Sequence, residues 1–252
     1  MGRISQARRG RSWQFRWMRV IHVCAAAVVC LALAQARPAS ADVRTDAKPT
    51  VAILYFDYSG KDDDLAALRK GLAQMMISDL SGLDAIQIVE RGRLEDVMAE
   101  LKLGESHKID AASAAKAGKL LGARYMVLGG YFDLKTKLRV DARVVEVESG
   151  KVLQSVGANG DADDFLGVEQ KLVTDVGAVL AKQLTLPPKA AVVTPRVAPP
   201  ARLARRVAVM YSRALHDADT GNKPRAREAL KQVVKDQPDF KLAMADLDKL
   251  MQ

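Results

Sequence analysis

The sequence predicts an α/β fold in which helices flank a mixed sheet, followed by a small all-α segment at the C-terminus. Residues 124–156 carry the clearest signal, because a strand there leads into a hairpin in which polar and apolar residues alternate. The second observation is the order of predicted elements over residues 50–186: strand, helix, strand, two helices, strand, hairpin and helix. Elements in this order pack as helices against one sheet, and about 135 residues can bury a single core.

The hairpin is predicted from an alternation of period two. From Lys137 to Val144, polar residues occupy the odd positions and apolar residues the even ones, so one face of the strand should be buried. The phase slips at Val144–Val145, which predicts a β-bulge, since one extra residue turns every later side chain to the opposite face. The other parts of this region are the strand 124–134 with Gly129–Gly130 inside it, the turn Ser149–Gly150 and the return strand 151–156.

Helices and two further strands are predicted around the hairpin. The apolar run 51–56 is typical of a strand buried on both faces, and the acidic run 62–64 favours a helix start, where the dipole is positive. Asp110 should cap an alanine-rich helix that ends at Gly122. The complete set is strands 51–56 and 86–89 and helices 62–80, 94–103, 110–121 and 165–184.

Residues 1–41 are predicted to be a secretory signal peptide with its cleavage region. An arginine-rich leader precedes an apolar run from Val20 to Ala34, and small residues suited to cleavage end at Ala36 and Ala41. The formal net charge of the chain is +9, but seven of its 39 basic residues and none of its 30 acidic ones lie in this segment, so the remainder carries only +2. We therefore expect a periplasmic protein without a nucleic-acid partner.

Membrane attachment is an open alternative. The apolar run is shorter than the ~20 residues of a spanning helix, yet an uncleaved anchor and an association with the outer membrane both stay open. A lipid anchor on Cys30 is not expected, because Val29 is larger than the residue that normally precedes such a cysteine and the apolar run continues to Leu33. Cleavage after Ala36 or Ala41 would remove both cysteines and leave a chain without disulfides.

The C-terminal third should contain a linker and a helical segment. Five of the nine prolines fall within residues 187–201, which predicts an extended, semi-rigid linker. A single tetratricopeptide-like repeat over residues 202–252 could not bury its own apolar face, so it should dock on the core, on another copy or on a partner. The residues that match the small, turn, packing and closing positions of that repeat are Ala214, Gly221, Ala226, Leu230, Val233 and Pro238.

No catalytic, cofactor-binding or metal-ligating residue is predicted. His107 and His216 each stand apart from other ligand types, and Ser149-Gly150-Lys151 lacks the earlier glycine of a phosphate-binding loop. Asp57 is the strongest single carboxylate, since it follows a buried strand at the edge where open α/β sheets bind ligands. Its alternative role is to cap the turn that follows.

Three segments carry a resemblance to a known family. They are Val89–Leu94, Leu121–Gly129 and Val140–Leu153, which occur in this order within residues 50–185. Together they resemble the CsgG-like family, which includes the curli-secretion lipoprotein, activators of penicillin-binding proteins and flagellar outer-membrane accessory proteins. The resemblance implies a non-enzymatic envelope protein that works through protein contacts. The connections 57–62 and 134–137 are too short for the transmembrane hairpins of the curli channel, so we do not expect a pore.

The expected function is that of an accessory or adaptor protein in envelope assembly or secretion. The residues predicted to bind a protein partner are Arg91, Arg93, Arg139, Asp141 and Arg143. One alternative is a ligand-binding or enzymatic module at the strand ends near Asp57 and Arg91. Another is a homo-oligomeric structural component of the envelope, paired through the strand 138–148 or the C-terminal helices.

Overall fold

The strands of the chain form one mixed sheet. A computed structural model describes residues 48–103 and 109–252, and the predicted signal peptide and His107 lie outside these ranges. The strands are β1 (Thr50–Ile53), β2 (Asp57–Tyr58), β3 (Gln87–Ile88), β4 (Tyr125–Leu134), β5 (Lys137–Glu146) and β6 (Val152–Asp161).

Eight helices accompany this sheet in the described part of the chain. Those of the α/β region are α1 (Asp63–Ala67), α2 (Arg69–Leu80), α3 (Arg91–Glu100), α4 (Ala111–Leu121) and α5 (Phe165–Gln183). The C-terminal helices are α6 (Arg205–Asp219), α7 (Lys223–Asp236) and α8 (Lys241–Met251), and single 3₁₀ turns lie at Ala162–Asp164 and Pro188–Ala190. This arrangement confirms the predicted fold class.

The strand order is β3-β1-β4-β5-β6, and β2 pairs with the second half of β4. β1 runs parallel to β3 and β4, whereas β4, β5 and β6 are antiparallel neighbours. Helices α2 and α5 cover one face, which we call the inner face; there Leu138, Val140 and Ala142 of β5 are fully buried. Helix α4 covers the opposite, outer face at one end only, beside Met126 and Val147.

The predicted bulge is present, but its extra residue lies in a different strand. Val144 pairs with Gln154 and Val145 pairs with Val152, so Leu153 of β6 is the additional residue. Strand β5 itself stays in regular register with β4 as far as Glu146. The pattern changes in β5 because Val145 and Val147 point to the outer face, where α4 covers them and buries a second face of the strand.

Several predicted boundaries differ from those observed. The helix predicted at 62–80 is interrupted at Leu68, and the helix predicted at 94–103 is α3, which begins at Arg91. The return strand reaches Asp161 and not 156, because Gly157 and Gly160 leave its alternation without a clear apolar face. At α4 the expected ends hold: the Asp110 carboxylate accepts a hydrogen bond from Ser113 N–H, and Gly122 adopts a φ of +64°.

The C-terminal helices dock on the α/β core. Helix α6 packs along α2, and α7 and α8 pack in turn beside it. The two helices α2 and α6 cross closely at Gly71, whose backbone N–H donates a 2.8 Å hydrogen bond to Ser212 Oγ. Of the three docking sites left open by the sequence, the structure therefore shows contact with the core.

Residues 187–201 have no helix or strand beyond one 3₁₀ turn and run over the surface of the core. Arg196 reaches Asp84 at 3.2 Å, and the backbone N–H of Ala201 donates to the Asp239 carboxylate at 3.3 Å. Among the helices of residues 48–103 and 109–252, none combines the length and the apolar character that crossing a bilayer requires.

Candidate protein-interaction surface

The outer face of β4, β5 and β6 is uncovered beyond the reach of α4. We call this surface the open face. Its side chains come from three strands in register: Phe132 lies opposite Arg139, which lies opposite Asn159, and Gly130, Asp141 and Gly157 form the neighbouring row. The residues of the open face are Phe132, Leu134, Arg139, Asp141, Arg143, Ser155, Gly157 and Asn159.

Two large apolar side chains stand out from this surface. Phe132 is 43% exposed and Leu134 is 70% exposed, although both belong to a strand whose first half is buried. They lie two residues apart on β4, so they point in the same direction beside the charged residues of β5. Exposed apolar groups with a polar border are typical of protein-binding surfaces.

The charged part of the open face is an ion pair along one strand. Arg139 donates to Asp141 Oδ1 from Nε at 2.9 Å and from Nη2 at 2.6 Å. This hydrogen-bonded carboxylate raises the pKa of Arg139. Gly157 of β6 leaves room for the pair, since a Cβ atom there would collide with both side chains. Exposed pairs of this kind contribute little to stability, so a partner can exchange them at little cost.

A groove of about 630 Å³ borders the open face where β2 meets β4 and β5. Its lining includes Asp57, Gly130, Arg143 and Ser155. The Asp57 carboxylate accepts a 2.9 Å hydrogen bond from Arg69 and a 3.3 Å bond from the backbone N–H of Ile109. Asp57 therefore ties β2 to α2 and to the start of α4, which is more than the turn-capping role expected as its alternative.

A second cluster of charges lies between the core and the C-terminal helices. We call it the junction network; it consists of Tyr55, Lys70, Arg91, Glu95 and Asp219. Lys70 Nζ lies 2.6 Å from Asp219 and 2.7 Å from Glu95, Arg91 pairs with Asp219, and Tyr55 bonds to Glu95. These contacts join α2 and α3 of the core to the end of α6.

The junction network is largely withdrawn from water. The side chains of Arg91 and Asp219 are only 15% and 7% exposed. Burial lowers the pKa of Arg91, but the charge and hydrogen bond of Asp219 outweigh it and raise the pKa overall. Burial also raises the pKa of the Tyr55 hydroxyl, and the neighbouring Glu95 carboxylate adds to this effect.

The structure thus distributes the five predicted partner-binding residues over different environments. Arg139, Asp141 and Arg143 come together on the open face, Arg93 is exposed on α3, and Arg91 pairs inside the chain. Phe132 and Leu134 were not predicted. The sequence shows that the row of alternate residues 126–134 stays free of charged residues past the glycine pair, but this pattern indicates an apolar row and not its exposure.

The two residues of the alternative ligand site are not brought together. Asp57 lines the groove, whereas Arg91 belongs to the junction network. His216 is exposed on α6. Within residues 48–103 and 109–252, no group of three or more His, Cys, Asp or Glu side chains is arranged to hold a metal ion.

Part of the chain matches the model of a known protein family. Residues 47–139 match the family model described as curli production assembly/transport component CsgG. The expected resemblance to the CsgG-like family is confirmed. The CsgG-like match begins just before β1 and ends within β5, so β6, α5 and the C-terminal helices lie outside it.

The solved structures that match part of the chain share little sequence with it. The LpoB C-terminal domain from Escherichia coli is 11% identical, with a TM-score of 0.36, and the match covers 47% of this chain and 86% of that one. Lipoprotein GNA1162 from Neisseria meningitidis is 15% identical, with a TM-score of 0.39 and coverages of 54% and 96%. A PelC dodecamer from Paraburkholderia phytofirmans is 13% identical, with a TM-score of 0.33 and coverages of 53% and 89%.

One curated relative is much longer than the matched region. It is a protein of Rhizobium meliloti (strain 1021) named "Putative adenylate cyclase 3", which is 22% identical over 139 residues. The match takes in 55% of this chain and spans only 22% of the length of that relative.

Proposed function

We propose that this chain is a non-enzymatic accessory protein of the cell envelope that acts through protein–protein contacts, with the open face as its binding surface. The observation that carries the proposal is the exposure of Phe132 and Leu134 beside the Arg139–Asp141 pair. A partner that covers this face would remove two large apolar side chains from water and meet charges of both signs. Specific protein–protein interfaces typically have an apolar centre and a polar border, and the open face supplies both.

The regular pairing of the sheet supports a role of the open face in binding a partner. β4 and β5 pair over ten residues without interruption, and the inner-face side chains of β5 are fully buried against the core. The open face is therefore held in one geometry before a partner arrives. A surface that is already ordered loses less conformational entropy on binding, which favours affinity.

The family match supports the compartment and the class of function. The matching family model is named for an assembly and transport component, and the leader predicted at residues 1–41 would export the chain to the periplasm. We propose a role in envelope assembly or secretion on this basis. The name of the Rhizobium meliloti relative does not extend to this chain, which spans about a fifth of its length.

Site-specific photo-crosslinking in the cells that export the chain tests this function. A photoreactive amino acid at position 132 or 134 should yield a discrete covalent adduct with another protein, while the same group at the exposed Lys182 of α5 should not. The assignment of this surface would be contradicted if a probe at position 182 gave the same yield of adduct, or if probes at positions 132 and 134 gave no adduct. The partner is then identified by mass spectrometry of the adduct.

A matched pair of variants separates binding from folding. The double variant Phe132→Ala/Leu134→Ala removes exposed apolar surface, so we expect the adduct formed from a probe at position 139 to decrease at least fivefold with an unchanged unfolding midpoint. The control Leu138→Ala removes a fully buried side chain of the same hairpin. We expect it to lower the unfolding midpoint while leaving adduct formation by the folded fraction intact.

A further inference from the structure

A small cavity lies between α2 and α5, beneath residues 197–200. Its volume is about 10 Å³, which is close to the room that one water-sized particle needs. Its polar lining consists of Ser78 and Asp79 of α2 and Glu169 of α5. The remaining lining is apolar and comes from the same two helices, from residues 197–200 and from the start of α8.

The two carboxylates of this lining are buried without a positive partner in the described part of the chain. Glu169 is 1% exposed and Asp79 is 5% exposed, and both carboxylate oxygens of Glu169 lack a hydrogen-bond donor among residues 48–103 and 109–252. The only charge that shifts the pKa of Glu169 is that of Asp79, and burial alone raises the pKa of Asp79. Because a buried charge is costly unless it is paired, the folded chain must neutralise these two groups with protons or with a cation.

The position of Asp79 in its helix favours a cation. Asp79 lies in the last turn of α2, which ends at Leu80. The C-terminal end of a helix is the negative end of its dipole, so a positive ion is stabilised there. Glu169 adds a second negative group from α5, and its unpartnered side chain lines the same cavity.

Residues 197–200 close the cavity with a backbone that is poor in donors. Pro199 and Pro200 both line it, and proline has no backbone N–H. At these two positions the segment can offer carbonyl oxygens but no hydrogen bond to a carboxylate. Carbonyl oxygens are ligands of hard cations, so this cover suits a cation better than it suits the bare carboxylates.

We propose that this cavity binds one calcium ion, with Asp79 and Glu169 as its carboxylate ligands. A divalent ion balances the two negative charges. Magnesium usually keeps several of its waters, for which a cavity of about 10 Å³ has no room, whereas calcium accepts a shell of protein oxygens. The Ser78 hydroxyl and backbone carbonyls of residues 197–200 are the further ligands within the lining.

The calcium site goes beyond the proposed function and does not depend on it. Helices α2 and α5 cover the inner face, so the site and the open face lie on opposite sides of the sheet. An ion held there would join α2, α5 and the segment that leads to the C-terminal helices. In the absence of calcium, protons neutralise the pair instead.

Calorimetric titration of the metal-free full chain with calcium chloride tests the site. We expect one ion per chain with a Kd of about 1 mM or lower, the range of calcium sites in extracellular modules. Glu169→Gln keeps the size of the side chain and removes its charge, so the affinity should decrease at least tenfold. Asp175→Asn changes a more exposed carboxylate of the same helix and should leave the affinity unchanged.

Thermal unfolding separates loss of the site from loss of the fold. Calcium should raise the unfolding midpoint of the parent chain and of Asp175→Asn, while magnesium chloride and sodium chloride at equal ionic strength should raise it less. Glu169→Gln should unfold cooperatively with a midpoint that does not respond to calcium. The proposal would be overturned by the absence of saturable binding up to about 10 mM calcium, by equal affinities of the parent chain and Glu169→Gln, or by equal stabilisation with magnesium.

Discussion

The open face and the junction network contain the same kinds of charged side chain in opposite surroundings. Arg139 and Asp141 are 45% and 51% exposed and contact only each other among the charged residues of the described chain. Arg91 and Asp219 are 15% and 7% exposed and belong to a network that also includes Lys70 and Glu95. The difference lies in the C-terminal helices, which cover one cluster and leave the other uncovered.

This contrast shows that an arginine next to a strand is not a binding residue by its position alone. Removing one member of a buried pair leaves an uncompensated charge, whereas removing one member of an exposed pair leaves a hydrated one. The junction network should therefore govern stability, and the open face should govern association. The predictions below test that division, from the largest expected change in stability to the smallest.

The first prediction concerns Asp219, the shared acceptor of the junction network. Asp219→Ala leaves both Lys70 and Arg91 without this carboxylate in a buried setting, so the free energy of unfolding should fall by about 3 kcal/mol. Urea titration followed by circular dichroism measures the change. Asp248→Ala removes an exposed carboxylate from α8 and should change stability by less than about 0.5 kcal/mol. Similar values for the two variants would contradict a structural role of the network.

The second prediction concerns the crossing of α2 and α6. A Cβ atom at position 71 would lie 2.9 Å from the Cβ atom of Ser212, so Gly71→Ala forces the two helices apart. We expect a loss of about 2 kcal/mol by the same titration.

Gly92 offers a matched control, because a Cβ atom there meets nothing within 4 Å. Gly92→Ala should stabilise α3 by up to about 1 kcal/mol through helix propensity. The two glycine-to-alanine changes should therefore have opposite signs, and equal signs would place the C-terminal helices elsewhere.

The third prediction is a pH dependence from two buried carboxyl groups under residues 197–200. Burial raises the pKa of Asp79 to about 6, and burial together with the charge of Asp79 raises the pKa of Glu169. Neither carboxylate oxygen of Glu169 has a hydrogen-bond partner among residues 48–103 and 109–252. The folded state therefore binds these protons more tightly than the unfolded state does. Their stabilising effect is complete below about pH 4 and is lost as pH rises through the folded-state pKa values.

Between pH 8 and pH 5 the free energy of unfolding should consequently rise by about 1 kcal/mol. Glu169→Gln should remove the contribution of Glu169 to this rise and leave that of Asp79. It should also increase stability at pH 8, since a neutral amide avoids the cost of a buried charge. Asp175→Asn, at a more exposed position of the same helix, should leave the pH profile unchanged. A wild-type profile that falls from pH 8 to pH 5 would show that the carboxyl groups are hydrated or paired in solution.

The fourth prediction has the smallest effect on stability. Asp141→Ala breaks the exposed pair with Arg139, and the free energy of unfolding should change by less than about 0.5 kcal/mol. Crosslinking to a partner from position 132 should nevertheless decrease, because Asp141 lies within the open face. A loss of stability as large as that of Asp219→Ala would remove the distinction between the two clusters.

The sequence predicted those parts of the fold that depend on local pattern. The alternation in β5 and the caps of α4 were recognised because each is determined by neighbouring residues. The two-residue strand β2 was missed, since it is defined by its pairing with Gly130 and Tyr131 and has no pattern of its own. The internal pairing of Arg91 could not be predicted either, because its partner Asp219 lies 128 positions later in the chain.

The same reasoning applies to the candidate surface. The charged members of the open face follow from the polar side of β5, which the alternation identified. Its apolar members could not be assigned to solvent, since that depends on where α4 stops covering the sheet. Which face of a strand is covered is decided by helix packing, and this packing depends on the whole chain.

The path of residues 187–201 has a mechanical consequence. The Thr194 carbonyl lies against Gly82 and the Val193 side chain against Gly177, in positions where any added Cβ would collide with them. The segment therefore packs directly against the core at both of these points. A pulling force applied to the C-terminal helices would reach the core through these contacts as well as through the packing of α6 on α2. The C-terminal helices should therefore resist such a force together with the core, and not extend freely on residues 187–201 as on a flexible linker.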